Sequence, residues 1–200
     1  MKQMLEKAKE LVKMLQAAVD EEQHVQLSTL KPRDKFTTDI GEFIVLEQLE
    51  GQTKVITAKL FKENVRFDDS STDYKKSELK KLCDTEILQE FEKVFETDNI
   101  VEHAADLTTL DGQKTFGTVV CKVRPLTFDE VRKYTEILSD KELPDWYWTC
   151  TAWSTKERGW EYIVAVVCPS GSVNYVSYGN HYGVRPFCIL KSNIFVSKEE

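Results

Sequence analysis

Between Trp146 and Lys191 the chain passes through three apolar stretches, "WYWTCTAWS", "YIVAVVC" and "GVRPFCILK", separated by Pro, Ser, Gly and Asn residues. β-Branched and aromatic side chains dominate each stretch, and runs of that kind bounded by turn residues read as strands. A chain with this ending has to build a sheet, mainly antiparallel. In the first strand Trp146 and Trp148 fall on one face and Tyr147 and Thr149 on the other. The tryptophans are expected to serve mostly as a core that holds the turns together. Arg185 interrupts the last apolar run between Val184 and Pro186. A buried arginine needs carboxylate or carbonyl partners, so Arg185 is expected to tie loops together.

Upstream, the periodicity changes. Met4, Leu5, Ala8, Leu11, Val12, Leu15, Ala18 and Val19 repeat at spacings of three and four, which predicts an amphipathic helix from residue 2 to about residue 24. Its apolar stripe can pack on the body of the chain or pair with copies of itself, giving a homo-oligomer. Phe43, Ile44 and Val45, the turn Glu50-Gly51-Gln52, and Val55 and Ile56 predict a hairpin. The loop Asp69–Asp73 is placed to cap a helix from Tyr74 to about Cys83, and Thr85 to cap a second one carrying Ile87, Leu88, Phe91, Val94 and Phe95 on one face. "NIVEHAADL" and "TVVCKVRPL" read as strands flanking the turn signal Asp111-Gly112, and Thr127-Phe128-Asp129-Glu130 is a capping box opening the helix "FDEVRKYTEIL". The expected class is α+β, with an N-terminal helix over 1–26 and a body over 27–200.

Composition narrows the function. A formal charge of -7 argues against nucleic acid as the partner, since phosphate binding needs a surplus of Lys and Arg. The first residues are charged throughout and no run is long and apolar enough to span a bilayer, so neither a signal peptide nor a membrane anchor is expected. Five scattered cysteines, Cys83, Cys121, Cys150, Cys168 and Cys188, with no C-x-x-C pair, read as reduced thiols in a cytoplasmic protein. Cys188 and His181 are a conceivable nucleophile and base, but a cysteine inside an apolar strand is ordinarily a small buried hydrophobe. His103 with Glu102 and Asp106 matches no standard metal spacing. No phosphate loop, nucleophile elbow, dinucleotide fingerprint or H-E-x-x-H is present, and neither catalytic residues, cofactor nor resident metal is expected. A calcium held by backbone and carboxylate oxygens leaves little trace in a sequence.

The order "WYWTCTA", a Gly-turn hairpin "VVCPSGSV" and a closing "GVRPFCIL" resembles the end of a C-type-lectin-like domain common in gut bacteria and their phages. "FIVLEQ", "NIVEHAADLTTLDG" and "VRPLTFDEVRKY" extend the resemblance over residues 27–197. The first motif departs from the family pattern after its tryptophan, whereas Gly183-Val184-Arg185-Pro186 is intact. The resemblance implies a C-type-lectin-like fold, related in architecture to formylglycine-generating enzymes but without their paired catalytic cysteines. Some such domains are diversified by retroelements that spread AAC codons over NNC codons, which cannot encode Trp, Met, Lys, Gln or Glu. From Tyr162 to Tyr182 none of those five residues occurs. The resemblance therefore implies a non-enzymatic binding protein. Its changeable surface comprises Ile163, Ala165, Val166, Cys168, Asn174, Val176, Tyr178, Asn180 and His181, and its ligand is a protein or a glycan. Tyr, Ser and Asn suit such a surface, giving contact area and adaptable hydrogen bonds at low entropic cost. A phage-encoded inhibitor of a host defence protein is the second reading, and a virion surface is the alternative to a cytoplasmic location in the bacterial host.

Overall fold

The computed structural model describes residues 5–7, 9–12, 14 and 24–198. The described residues of the first segment are helical, and Leu5, Leu11, Val12 and Met14 are all exposed, so these side chains do not pack on the body. The rest of the expected helix lies outside the described residues, except at its end. His24–Gln26 is a strand of the body, which moves the expected boundary at residue 26 toward the N-terminus.

Fifteen strands follow among the described residues. The first eight are β1 (His24–Gln26), β2 (Lys35–Thr38), β3 (Gly41–Leu49), β4 (Gln52–Thr57), β5 (Lys62–Arg66), β6 (Ile100–Val101), β7 (His103–Asp106) and β8 (Thr118–Cys121). After them come β9 (Val123–Arg124), β10 (Tyr147–Ala152), β11 (Ile163–Val167), β12 (Val173–Ser177), β13 (His181–Val184), β14 (Phe187–Lys191) and β15 (Phe195–Lys198). One sheet has the order β1-β15-β2-β3-β4-β14-β6, with β9 also on β14, and the second has the order β12-β11-β10-β13-β5. β7 and β8 form a separate ladder. Every pairing is antiparallel except β10 with β13, where Tyr147 lies beside Gly183. Gly183, the first residue of the closing motif, sits where a Cβ would lie 2.6 Å from Leu60 Cδ1.

Apolar side chains collect on both sides of these strands. One cluster joins Phe36, Phe43, Phe91 and Phe95 to Trp148, Val164, Val166, Cys188 and Leu190. The other joins Ile44, Ile56 and Phe187 to Tyr147, Val167 and to Val131, Tyr134 and Leu138. Successive residues of a strand point to opposite faces. β10 and β11 supply both clusters, and every residue of both strands is buried. This is why "YWTCTA" and "IVAVV" read as continuous apolar or small runs rather than as an alternation.

Helix α1 (Glu78–Leu82) starts where Ser77 Oγ accepts the Lys80 N–H at 3.0 Å. The expected break before Thr85 is absent. A π turn over Cys83–Ile87 carries the chain straight into α2 (Leu88–Phe95), and Thr85 Oγ1 donates back to Lys81 O at 2.8 Å instead of capping. Leu79, Cys83, Ile87, Phe91 and Phe95 are all buried. They recur every fourth residue, and four residues overshoot one α-helical turn by about 40°. Over so many steps a regular helix would carry the stripe well off the core, and the wider π turn brings it back.

Helix α3 (Phe128–Leu138) has the expected capping box. The Thr127 N–H donates to Glu130 Oε2 at 2.8 Å and the Glu130 N–H to Thr127 Oγ1 at 3.2 Å. The same Glu130 carboxylate grips buried Arg124 through two hydrogen bonds of 2.6 Å, and the Arg124 guanidinium lies 4.5 Å from the centre of the Phe187 ring. A second tie joins α3 to β3: Glu47 accepts from Lys133 Nζ at 2.6 Å, Tyr134 OH at 2.6 Å and Lys54 Nζ at 2.9 Å. Burial alone would raise this carboxyl, but the three donors prevail and hold it at about 2.

His103 stands edge-on to Phe187 at 5.4 Å, with buried Nε2 lacking a hydrogen-bond partner. Burial, reinforced by the Arg124 charge, pushes its imidazole down to about 4 from an ordinary 6.5. The unfolded chain then binds the proton more readily than the folded one. The stability carried by the neutral ring is complete above about pH 6.5 and is lost as the pH falls toward 4. His103→Phe keeps the ring contact and should remove about 2 kcal/mol of the drop in unfolding free energy between pH 7 and pH 4. Urea denaturation at the two pH values checks this, and an unchanged drop would show the imidazole to be solvated.

Candidate binding surface

The nine positions expected to form one changeable surface separate into two groups. Ile163, Ala165 and Val166 are buried, at 7%, 0% and 0% exposure, and cannot touch a ligand. The correction has a plain cause. β11 is an interior strand held between β10 and β12, so Val166 enters the larger apolar cluster, while Ala165 lies opposite Tyr175 with its carbonyl taken by Thr149 Oγ1 at 2.7 Å. Val176 and Tyr178 are half-buried and pack against the same cluster. Cys168 and Asn174 are half-buried, and Asn180 and His181 are exposed.

Exposed aromatic area lies next to these last positions. Trp160 and Tyr162 are 43% and 46% exposed, their ring centres 6.5 Å apart. The Tyr178 N–H donates to Tyr162 O at 3.0 Å, which continues the β11–β12 ladder and sets Tyr178 opposite Tyr162. The chain then runs directly into Asn180 and His181. Of the four tryptophans only Trp148 is fully buried, so the expectation of an aromatic core fails for Trp160 and holds in part for Trp146 and Trp153. Trp160 could not be told from a core residue by its neighbours in the sequence. The charged run Lys156-Glu157-Arg158 before it was the available signal that this part of the loop faces water.

The loops beneath the aromatic side chains are held firmly. Lys156–Arg158 form a 3-10 turn that ends at Gly159 with φ 79°, a value glycine adopts without strain. The Trp160 N–H returns to Thr155 O at 3.2 Å and the Trp153 N–H to Ile163 O at 2.9 Å. Below them Asp111 accepts from Ser154 Oγ and Thr109 Oγ1, both at 2.6 Å, and faces Arg158 at 3.7 Å. Burial opposes ionisation of this carboxyl, yet the two hydroxyls and Arg158 hold it below the usual range. On the other flank the Asp68 N–H donates to Tyr178 O at 3.3 Å. The Asp68 carboxylate accepts the N–H groups of Ser70, Ser71 and Glu78 at 2.8, 3.0 and 3.0 Å, and these outweigh burial to lower it too. Tyr182 stacks on Trp146 at 5.7 Å and meets Trp148 edge-on at 5.3 Å, anchoring the end of the 178–182 segment to the core.

The buried thiols of Cys83, Cys150 and Cys188 are poorly placed for catalysis. Burial pushes Cys83 and Cys150 up to about 12 and raises Cys188 as well. A thiol held protonated is a weak nucleophile, and Cys188 is fully buried in β14 while His181 is exposed on β13. Among the described residues no three His, Cys, Asp or Glu side chains are grouped to hold a metal ion, and no helix is long and apolar enough to cross a membrane. Comparison with protein-family models, with curated proteins and with solved structures gives no match.

Proposed function

We propose that this chain is a non-enzymatic binding protein of C-type-lectin-like fold. It presents Trp160, Tyr162, Tyr178, Asn180 and His181 to a protein or glycan ligand. The observation that carries the reading is the exposed Trp160–Tyr162 pair beside Tyr178, on loops tied down by the Asp111 and Asp68 carboxylates. Exposed neighbouring aromatics on a rigid frame cost water-ordered surface in the free protein and give contact energy at little entropic expense when covered. The α+β architecture with mixed sheets is compatible with the proposed fold. Where a retroelement diversifies the tail, change is tolerated at Asn174, Tyr178, Asn180 and His181. Ile163, Ala165 and Val166 belong to the frame.

The double variant Trp160→Ala/Tyr162→Ala and the double variant Asn180→Ala/His181→Ala test this. On an array of bacterial surface glycans and surface proteins, the aromatic variant should lose about 100-fold in affinity for whatever the parent chain binds. Both variants should melt within about 3 °C of the parent, as surface substitutions do. Undiminished binding by the aromatic variant would move the ligand site elsewhere.

A further inference from the structure

Among the described residues no strand pairs with the outer edge of β12, and the surrounding bonds fix which of its backbone groups face outward. The Cys168 N–H donates to Ser172 O at 2.8 Å and the Tyr178 N–H to Tyr162 O at 3.0 Å, with Val166 opposite Asn174 and Val164 opposite Val176 between them. Hydrogen-bonded and non-bonded pairs alternate in an antiparallel ladder, so Val173, Tyr175 and Ser177 turn their N–H and C=O groups away from β11. Two of these groups are occupied locally. The Tyr175 N–H donates to Asn174 Oδ1 at 2.8 Å, and Ser177 O accepts the Asn180 N–H at 3.0 Å. Asn174 thus lends the centre of the strand the bond that a neighbouring strand would supply.

Sheet edges are ordinarily guarded by charge, proline, irregularity or shortness. The other edges among the described residues are guarded. β5 carries Lys62, Glu63 and Arg66, with Asn64 at φ 57°. β1 has three residues, and β6 and β9 have two each. β7 carries Asp106, and β8 runs into Lys122. β12 is five residues of V-N-Y-V-S, and no Lys, Arg, Asp or Glu occurs anywhere from Tyr162 to Val184. Tyr175 is 50% exposed on this strand and leans on Trp153 with ring centres 4.6 Å apart.

We infer that β12 is a self-association edge, paired antiparallel about a two-fold axis at Tyr175 with β12 of a second copy of this chain. The registry is self-complementary. Val173 meets Ser177 of the other copy, Asn174 meets Val176, and Tyr175 meets Tyr175, so no like charges oppose one another. The outward groups of three residues then form about six N–H···O bonds, once each Asn174 amide releases the Tyr175 N–H beneath it and each Ser177 O accepts a second bond beside that from Asn180. The two Trp153–Tyr175 pairs come together as a line of four rings, covering the exposed Tyr175 side chain. The edge adjoins the ligand surface through Asn174 and Tyr178, but the inference is argued from the outward backbone groups of Val173, Tyr175 and Ser177 and does not rest on that reading.

Sedimentation velocity of the full chain from about 1 to 100 μM tests it, together with three substitutions. Tyr175→Lys places two like charges on the axis and should weaken the dimer at least about 10-fold. Asn174→Ala removes the local substitute bond and should tighten it about threefold, an opposite change from an adjacent residue that a merely structural role does not produce. Tyr175→Cys should give a disulfide-linked dimer when oxidised glutathione takes up the two electrons, because residues facing each other in a bonded pair lie about 5.5 Å apart between Cα atoms. The parent chain, whose cysteines are buried or half-buried, supplies the baseline for that cross-link. A monomer throughout the range, an oligomer indifferent to Tyr175→Lys and Asn174→Ala, or no cross-link above the parent's each overturns the inference.

Discussion

Replacing Arg185 by alanine should lower the stability of the fold by about 3–5 kcal/mol, the range for removing one side of a buried charged contact. Its side chain is fully buried. Nε donates to Thr57 O at 2.7 Å, Nη1 donates to Leu138 O at 3.2 Å and to Tyr147 OH at 3.4 Å, and the guanidinium lies 5.4 Å from the centre of the Tyr147 ring. One side chain thereby joins the end of β4, the end of α3 and β10. Its loss strands the Thr57 and Leu138 carbonyls in a dry interior and leaves a cavity. For a chain of this size the melting temperature should fall by about 6–20 °C. Because its hydrogen-bond partners are two carbonyls and a tyrosine hydroxyl, no second charge substitution should restore what is lost. A thermal melt within 2 °C or so of the parent would mean that the guanidinium does not bridge these elements.

Arg124→Ala should cost a similar amount for a different reason, and the difference is measurable. Arg124 is 2% exposed, and its partner is the Glu130 carboxylate that also closes the α3 capping box. Without the guanidinium, Glu130 is a largely buried carboxylate retaining only the Thr127 N–H and hydroxyl as donors. Burial then raises its carboxyl again, where the Arg124 hydrogen bonds now hold it down. Adding Glu130→Gln to Arg124→Ala removes the unpaired charge and should return about 1–2 kcal/mol. A double-mutant cycle in urea reads the coupling directly. Strict additivity of the two substitutions would mean that the pair is solvated enough to be independent.

Much of the frame was legible because its signals are local. Thr127 and Glu130 fulfil a capping box that needs only four consecutive residues, and Glu50-Gly51 turns the chain between β3 and β4 where its composition says it should. Arg185 was readable as buried because a guanidinium in an apolar run has few other places to go. What was not legible depends on layers. Ile163, Ala165 and Val166 alternate between two faces, and nothing in "YIVAVVC" says that both faces are covered, one by the Trp148 side and one by the Tyr147 and α3 side. The π turn at Cys83–Ile87 was hidden because its residues look like two helices with a threonine cap between them. In the candidate site, the exposed polar tip at Asn180 and His181 follows from small polar residues around a glycine. For Trp160 the one signal was the charged run Lys156-Glu157-Arg158 before it, and the exposure of Tyr175 follows only from which sheet edge is left open.

The last strand has a consequence for how the protein is made. β15 is inserted between β1 and β2, so His24–Gln26 and Lys35–Thr38 reach each other's sheet only through residues 195–198. During synthesis the chain emerges in the opposite order, and β1 waits for a partner more than 160 positions later. Loop closure over such a span is slow compared with local pairing. The β3–β4 hairpin and the α1–α2 stretch can gather as they leave the ribosome, while β1 and the outer edge of β2 stay unclosed until residue 198 is free. A nascent chain halted short of that point displays two open strand edges, the form a chaperone or a protease meets first.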